Sequence, residues 1–232
     1  MSSAMNKGST MTAYIAATAK ISDQAQVSDQ AWVCDETKVY GQARVYDQVR
    51  VYDQVQVSDR AKVSDQARVY GQAWVSDRAK VSDQARVYDQ ARVCGRARVS
   101  DQAQVYDRAQ VYGQAQVYGQ ALVYGQGDIA STRHYLTVGP VGSEDRTVTV
   151  HRHYDGPGST VWGHLVVAGC WQGMLDELAA RIAADRTHGW REDVSRWRAD
   201  YESLIALARP RVAEWAAEPL TDADHARWAG SE

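Results

Sequence analysis

The sequence predicts a mainly β protein, in which a solenoid of short parallel strands precedes a small α+β domain. An aliphatic residue occupies every sixth position from Ile15 to Ile129, 20 positions without a slip. A small residue, usually Ala, lies two places before most of them, while Thr37, Val49 and Val55 depart slightly from this pattern. Neighbouring segments are separated by turn-forming pairs such as Asp-Gln and Gly-Gln. After Ile129 the repeat stops and the composition changes.

A period of six is not helical, because a helix of about 3.6 residues per turn cannot gather such positions into one stripe. In each Ala-x-Val segment two side chains point one way and the middle one points the other way. The consistent solution is a coil of three short strands and three corners, with equivalent residues about 4.8 Å apart in successive coils. Tyrosines repeated every 18 residues support three strands per coil: Tyr52, Tyr70, Tyr88, Tyr106 and Tyr124.

The pattern aliphatic-small-x-x-small-x resembles the hexapeptide repeat of left-handed parallel β-helices, from Ala13 to about Thr132. The resemblance implies a triangular prism of between six and seven turns. The left-handed winding of the coil comes from the resemblance alone, because the general rule for parallel crossovers would have predicted a right-handed one. Residues 1–12 precede the repeat and are expected to be a disordered leader, and 13–132 form the solenoid.

Residues 133–218 are predicted to form a capping α+β domain of order β-β-β-α-α, with a loose tail at 219–232. Alternation in "HYLTVGPVG", "RTVTVHRHY" and "STVWGHLVVAGCW" predicts the strands. Apolar spacing in "QGMLDELAARIAAD" and "REDVSRWRADYESLIALAR" predicts helices, separated near Gly189, and Pro210 is expected to end or kink the second. "AGCWQGMLDELAARI" and "YLTVGPVGS" resemble the terminal domain of YdcK-like hexapeptide proteins of bacteria and phages, which implies an architecture and a phage-like neighbourhood without a settled activity.

Composition excludes several classes. The net charge of −3 gives no basic excess for general nucleic-acid binding. No apolar run approaches the roughly 20 residues of a membrane span, so a cytoplasmic protein without a membrane partner is expected. Cys34, Cys94 and Cys170 lack metal-like spacing and are interpreted as reduced thiols. Cys34 and Cys94 fall on different faces of an 18-residue coil, which excludes a disulfide between them.

The candidate ligand site is a strip on one face of the solenoid. Its residues are Arg50, Arg68 and Arg86 beside Tyr52, Tyr70, Tyr88 and Tyr106. Each Arg would pair with a phosphate or carboxylate, and each Tyr would stack on a base or ring. Two other interpretations stay open: the tyrosines are a structural ladder with Arg paired to the repeated Asp, or the face is covered in an oligomer. The Gln and Asp columns are interpreted as structural.

Acyltransferase activity is the main alternative, because hexapeptide-repeat transferases resemble this chain. The resemblance would imply a trimer with a catalytic His near a subunit boundary. This chain has no His before His134 and no loop inserted into the repeat, so a transferase would need a histidine of the C-terminal domain. No catalytic residue is assigned.

We therefore expect a non-enzymatic binding or scaffold protein without a cofactor. It is expected to be a homo-oligomer, a trimer being favoured, that sequesters an anionic small ligand or nucleotide. A protein-partner inhibitor or structural module is the other possibility. A metal site from His134, His151, His153 and Cys170 is the less favoured interpretation, because strand histidines on an exposed polar face explain the spacing.

Overall fold

The computed structural model describes residues 13–22, 24–141, 146–157, 159–169, 171–184 and 194–229. In these ranges the chain forms a parallel β-solenoid, a short 3-10 helix at Thr132–His134, a four-stranded antiparallel sheet and three α-helices. The predicted mainly β fold class is confirmed.

The solenoid has three faces, each built from two-residue strands stacked in parallel. The first face contains β1 Tyr14–Ile15, β4 Trp32–Val33, β7 Arg50–Val51, β10 Arg68–Val69, β13 Arg86–Val87, β16 Gln104–Val105 and β19 Leu122–Val123. The second face contains β2 Lys20–Ile21, β5 Lys38–Val39, β8 Gln56–Val57, β11 Trp74–Val75, β14 Arg92–Val93, β17 Gln110–Val111 and β20 Asp128–Ile129. The third face contains β3 Gln26–Val27, β6 Arg44–Val45, β9 Lys62–Val63, β12 Lys80–Val81, β15 Arg98–Val99 and β18 Gln116–Val117.

The strand register confirms a coil of 18 residues. Arg68 pairs with Arg50 in the coil before and with Arg86 in the coil after. The repeated Ala and Val side chains fill the interior, and those between Ala31 and Val123 have no exposed surface. The aliphatic period therefore defines one continuous core, and the residue between each Ala and Val lies outside it.

Aspartates make the corners through backbone shape and a side-chain hydrogen bond. Eleven of them have φ between 55° and 65°, the left-handed region that Asp tolerates better than most residues. The Asp101 carboxylate accepts the backbone N–H of Gly119 in the next coil at 2.9 Å, and Asp53 accepts that of Gly71 at the same distance. The corner carboxylates thus satisfy N–H groups that no strand pairs.

The C-terminal sheet has one strand more than predicted. Its order is β21 Tyr135–Val141, β22 Arg146–His153, β23 Gly163–Ala168 and β24 Trp171–Gly173. The fourth strand pairs back onto β23 through Ala168 and Trp171, a return too short to show alternation in the sequence. Among the described residues, no helix is long and apolar enough to cross a bilayer.

The helices differ from expectation in two places. They span α1 Leu175–Ala183, α2 Val194–Ala217 and α3 Asp222–Ala229. Pro210 lies inside α2 and does not end it, since buried Ala208 and Trp215 on either side pack the helix into the core of the C-terminal domain. The expected loose tail contains α3, where His225 bonds the Tyr154 hydroxyl at 2.9 Å. Gly189, the expected break between helices, lies outside the described residues.

Strand β22 closes the C-terminal end of the solenoid. Gly127 forms an antiparallel bridge with His153, and the Tyr154 N–H donates to the Gln126 carbonyl at 3.0 Å. The Leu122 N–H donates to the Thr149 hydroxyl at 3.0 Å. Edge groups of the last coil are therefore paired by the domain, which prevents another chain from adding there.

Candidate functional site

The tyrosine column of the first face is a continuous aromatic stack. Centroids of neighbouring rings from Tyr52 to Tyr124 lie 4.7–5.0 Å apart, with interplanar angles of 2–13°. The rings of Tyr70, Tyr88 and Tyr106 each have a tyrosine on both sides. Because both faces of these three rings are covered, what they can offer a ligand is their ring edges and hydroxyls.

The tyrosine hydroxyls of this stack stay protonated near neutral pH. Burial, and next the neighbouring Tyr124 and Asp107, raise the pKa of Tyr106 to about 12. Burial also raises the pKa of Tyr70, against the lowering effect of the guanidinium groups of Arg86 and Arg68. The Tyr88 hydroxyl donates to the Gln104 amide oxygen at 3.4 Å. The stack therefore presents neutral hydrogen-bonding groups beside the arginines.

The arginine column lies in register next to these rings. Arg50, Arg68 and Arg86 are exposed and occupy equivalent places in consecutive coils. Within the described residues none of the three forms an ion pair, so the interpretation that they pair with the repeated aspartates is not supported. At the ladder spacing each adjacent pair of like charges repels by about 1 kcal/mol in water.

A groove of about 480 Å³ runs along the first face beside these arginines. Arg68, Arg86 and the next residues of that column form one side, and glutamines of the preceding corners form the other. Its lining is Gln66, Arg68, Gln84, Arg86, Gln102, Gln104, Gln120, Leu122, Thr147 and Gly169. Thr147 and Gly169 belong to the C-terminal domain, which bounds the groove at one end. Arg50 and the predicted tyrosines lie outside this lining.

The glutamines are functional candidates that the sequence interpretation assigned to structure. An amide ladder of the expected kind joins Gln72 to Gln54 at 3.3 Å, on the second face. No such bond links Gln66, Gln84 and Gln102 within the described chain. Their amides face the groove and can donate or accept hydrogen bonds. The signal that could have identified them was their alignment with the arginines at a spacing of 18.

The five histidines among the described residues lie in and beside the cap. His151 has no exposed surface, which corrects the expectation of exposed strand histidines. Its Nδ1 donates to the Arg152 carbonyl at 3.0 Å, while Nε2 has no hydrogen-bond partner among the described residues. Burial lowers the pKa of His151 to about 3. His164 Nε2 accepts the Leu175 N–H at 2.9 Å, which places it at the start of α1.

Metal and thiol chemistry receive no support from the described residues. No group of three or more His, Cys, Asp or Glu side chains in those ranges could hold a metal ion. Cys170, one of the four candidate ligands, lies outside them. Cys34 and Cys94 are free, as expected. Burial and the neighbouring Asp35 raise the pKa of Cys34 to about 11, which disfavours the reactive thiolate.

The coils, the core and the grooved face define this chain as a β-solenoid protein. The family model described as the YdcK beta solenoid repeat matches residues 91–107 of the solenoid, a range that includes Tyr106. The match supports a YdcK-like solenoid, whereas the YdcK-like resemblance stated from the sequence concerned the C-terminal domain, which lies outside the matched residues. No curated protein and no solved structure matched the sequence.

Proposed function

We propose that the chain is a non-enzymatic binding scaffold that holds an anionic small ligand, a nucleotide included, in the groove of the first face. The observation that carries the proposal is the placement of Arg68 and Arg86. They are exposed, stacked in register, without an ion pair in the described chain, and they line the groove. An anion bridging them relieves their mutual repulsion and gains charge-assisted hydrogen bonds.

The remaining lining favours a ligand with a polar body. Gln84 and Gln102 present amides that suit hydroxyl, carbonyl or ring-nitrogen groups. A ligand ring could stack only at an end of the tyrosine column: His151 lies against the last ring, Tyr124, whereas the first ring, Tyr52, is followed on its outer side by the small side chain of Cys34. A nucleotide would therefore place its phosphates on the arginines and its base near the first ring of the stack.

Self-association into a homo-oligomer, with a trimer favoured, is part of the proposal. Exposed aromatic residues support it: Tyr14 and Trp32 on the first face are 56% and 50% exposed. Large exposed rings at the start of one face suit contact with another copy. A neighbouring copy that covers part of the first face would convert the open groove into a closed site.

Native mass spectrometry of the freshly purified protein tests the oligomer, and mass spectrometry of the denatured supernatant identifies a released ligand. We expect an oligomer carrying an anionic ligand. The double variant Arg68→Gln and Arg86→Gln should lose that ligand, while a matched variant of the second face, Lys20→Gln and Lys38→Gln, should keep it. A ligand that remains bound to the first variant, or a clean oligomer with nothing released, contradicts the groove and redirects the search to protein partners.

A further inference from the structure

The third face carries a dense cluster of positive charge that the first face lacks. Three consecutive coils each present two cations, one from the corner and one from the strand that follows. They are Arg60 and Lys62, Arg78 and Lys80, and Arg96 and Arg98. Lys80 pairs in register with Lys62 and with Arg98, so the six form a grid of two columns. Five of the six are exposed and Lys62 is half-buried.

None of these six side chains is neutralised by an ion pair within the described chain. The nearest corner acids make other bonds: Asp59 accepts the N–H of Asp77 at 3.3 Å, and Asp77 accepts that of Gly95 at 2.9 Å. Arg60 donates through Nε to the Gln42 amide at 3.2 Å. The cationic grid, defined as these six residues, is therefore held by the backbone as a set of adjacent like charges.

Above the grid both columns become neutral, at Gln114 and Gln116. Below it the corner column becomes Gln42, while the strand column continues by one more cation, Arg44, which pairs in register with Lys62. Along the edge towards the first face runs a ladder of corner carboxylates, Asp65, Asp83 and Asp101. Two steps of the ladder and two residues of strand give a patch of about 10 by 7 Å.

We propose that the cationic grid binds a compact small molecule bearing several phosphate groups. Guanidinium and ammonium groups are the side chains that bind phosphate oxygens best, and Arg can do so with two parallel bonds. A patch of this size matches one densely charged molecule. A long polyanion or a membrane surface would extend over the neutral amides and onto the aspartate ladder, where it would be repelled. The site is separate from the groove and does not depend on it.

Inorganic tripolyphosphate is the probe, and isothermal titration calorimetry measures its binding at low and high salt. In Arg78→Gln with Lys80→Gln we expect affinity to fall by about tenfold or more, since two charged hydrogen-bonding partners are lost. Gln114 and Gln116 already occupy the same two columns one coil beyond the grid, so the scaffold accepts this pair. Weaker binding at high salt is also expected, because these charges are exposed.

The matched control removes two charges from the second face by the same substitution, Lys20→Gln with Lys38→Gln, outside both the grid and the groove. Gln56 stands in that column naturally. Its tripolyphosphate affinity should stay close to that of the wild type, and circular dichroism should show both variants folded. Equal loss in both variants, or no binding by the wild type, overturns the proposal. Tighter binding of a single-stranded oligonucleotide or of anionic vesicles overturns it in favour of a polymer or a membrane.

Discussion

Asp128 and Arg152 form a buried ion pair between the last solenoid strand and the cap. Arg152 Nη2 lies 2.7 Å from Asp128 Oδ1, with 3% and 0% of the two side chains exposed. Arg227 of α3 reaches the other carboxylate oxygen at 3.3 Å, and its guanidinium lies 4.2 Å from the centroid of the Tyr112 ring. One carboxylate thus joins the solenoid, the sheet and the final helix.

Asp128→Ala should destabilise the protein by about 3 kcal/mol, the lower end of the range for a broken buried pair, because the Arg152 charge loses its closest partner and keeps Glu218 at 2.9 Å. Equilibrium denaturation followed by circular dichroism measures the change. The control is Glu214→Ala, which breaks the exposed Arg133–Glu214 pair of 2.9 Å and should cost about 1 kcal/mol or less. Similar losses in the two variants would mean that the buried pair adds nothing beyond a surface contact.

Corner aspartates should tolerate Asn and resist Ala. Asp101 has φ of 57° and accepts the Gly119 N–H at 2.9 Å. Asp101→Ala loses the hydrogen bond and strains the backbone, at a cost of about 1–3 kcal/mol. Asp101→Asn keeps an accepting oxygen and a residue suited to the left-handed region, so its denaturation midpoint should stay near that of the wild type. If Asp101→Asn had a denaturation midpoint as low as that of Asp101→Ala, the hydrogen bond to Gly119 would not be what stabilises the corner.

The tyrosine stack should contribute to stability in proportion to its ring contacts. Tyr88 lies 4.7 and 4.8 Å from its two neighbours, so Tyr88→Ser should destabilise by about 1–3 kcal/mol. Tyr46→Ser is the control, because Ser28 and Ser64 occupy the neighbouring places of its column. It should cost less in the same thermal unfolding experiment. An equal cost for both would show that burial, and not stacking, accounts for the effect.

Alkaline pH should weaken the protein through the same tyrosines. A hydroxyl whose pKa rises to about 12 in the folded chain, as for Tyr106, holds its proton while the unfolded chain loses it at about 10. The contribution of this tyrosine to the free energy of unfolding is therefore fully present below the pKa of the unfolded chain. It is lost as the pH rises towards the pKa of the folded chain. Near-ultraviolet absorbance should therefore show tyrosine ionisation delayed until unfolding. Ionisation of the stack at the ordinary pKa in a protein still folded would contradict this.

Acid should weaken the cap through His151. Its pKa falls to about 3 on burial, from about 6.5 in an unfolded chain. The unfolded chain therefore binds a proton first, and stability is lost progressively as the pH falls from the higher value towards the lower. Denaturation midpoints of the wild type and of His151→Gln, measured across this range, should converge as the pH falls. A constant gap would assign the acid sensitivity to other groups.

Much of the solenoid could be predicted from sequence because its determinants are local and repeated. Val69 and Val87 are both buried because they occupy the aliphatic position of the six-residue repeat. Tyr70 and Tyr88 stack because the 18-residue coil places them one above the other. The corner role of Asp followed from its turn preference. Its hydrogen bond to the next coil did not, since that bond depends on the backbone geometry of two coils.

The cap and the details of the site were predicted less well because they depend on contacts between distant residues. Helix α3 has little apolar character of its own, and it is positioned by Arg227 and His225 reaching Asp128 and Tyr154. Pro210 is a helix breaker in isolation, yet buried neighbours such as Trp215 retain the helix through it. The covering of ring faces within the tyrosine stack also needed three-dimensional spacing.

The 18-residue register determines which face of the solenoid each repeat occupies relative to the cap, as well as how long the solenoid is. Insertion or deletion of one six-residue repeat between Arg68 and Leu122 would rotate everything on its N-terminal side by one face relative to the cap, so that Arg68 would no longer share a face with Leu122. A change of three repeats would preserve that phase and alter only the height of the prism. Length variants that keep a working groove should therefore differ by whole coils, whereas single-repeat variants should fold and yet present mismatched surfaces.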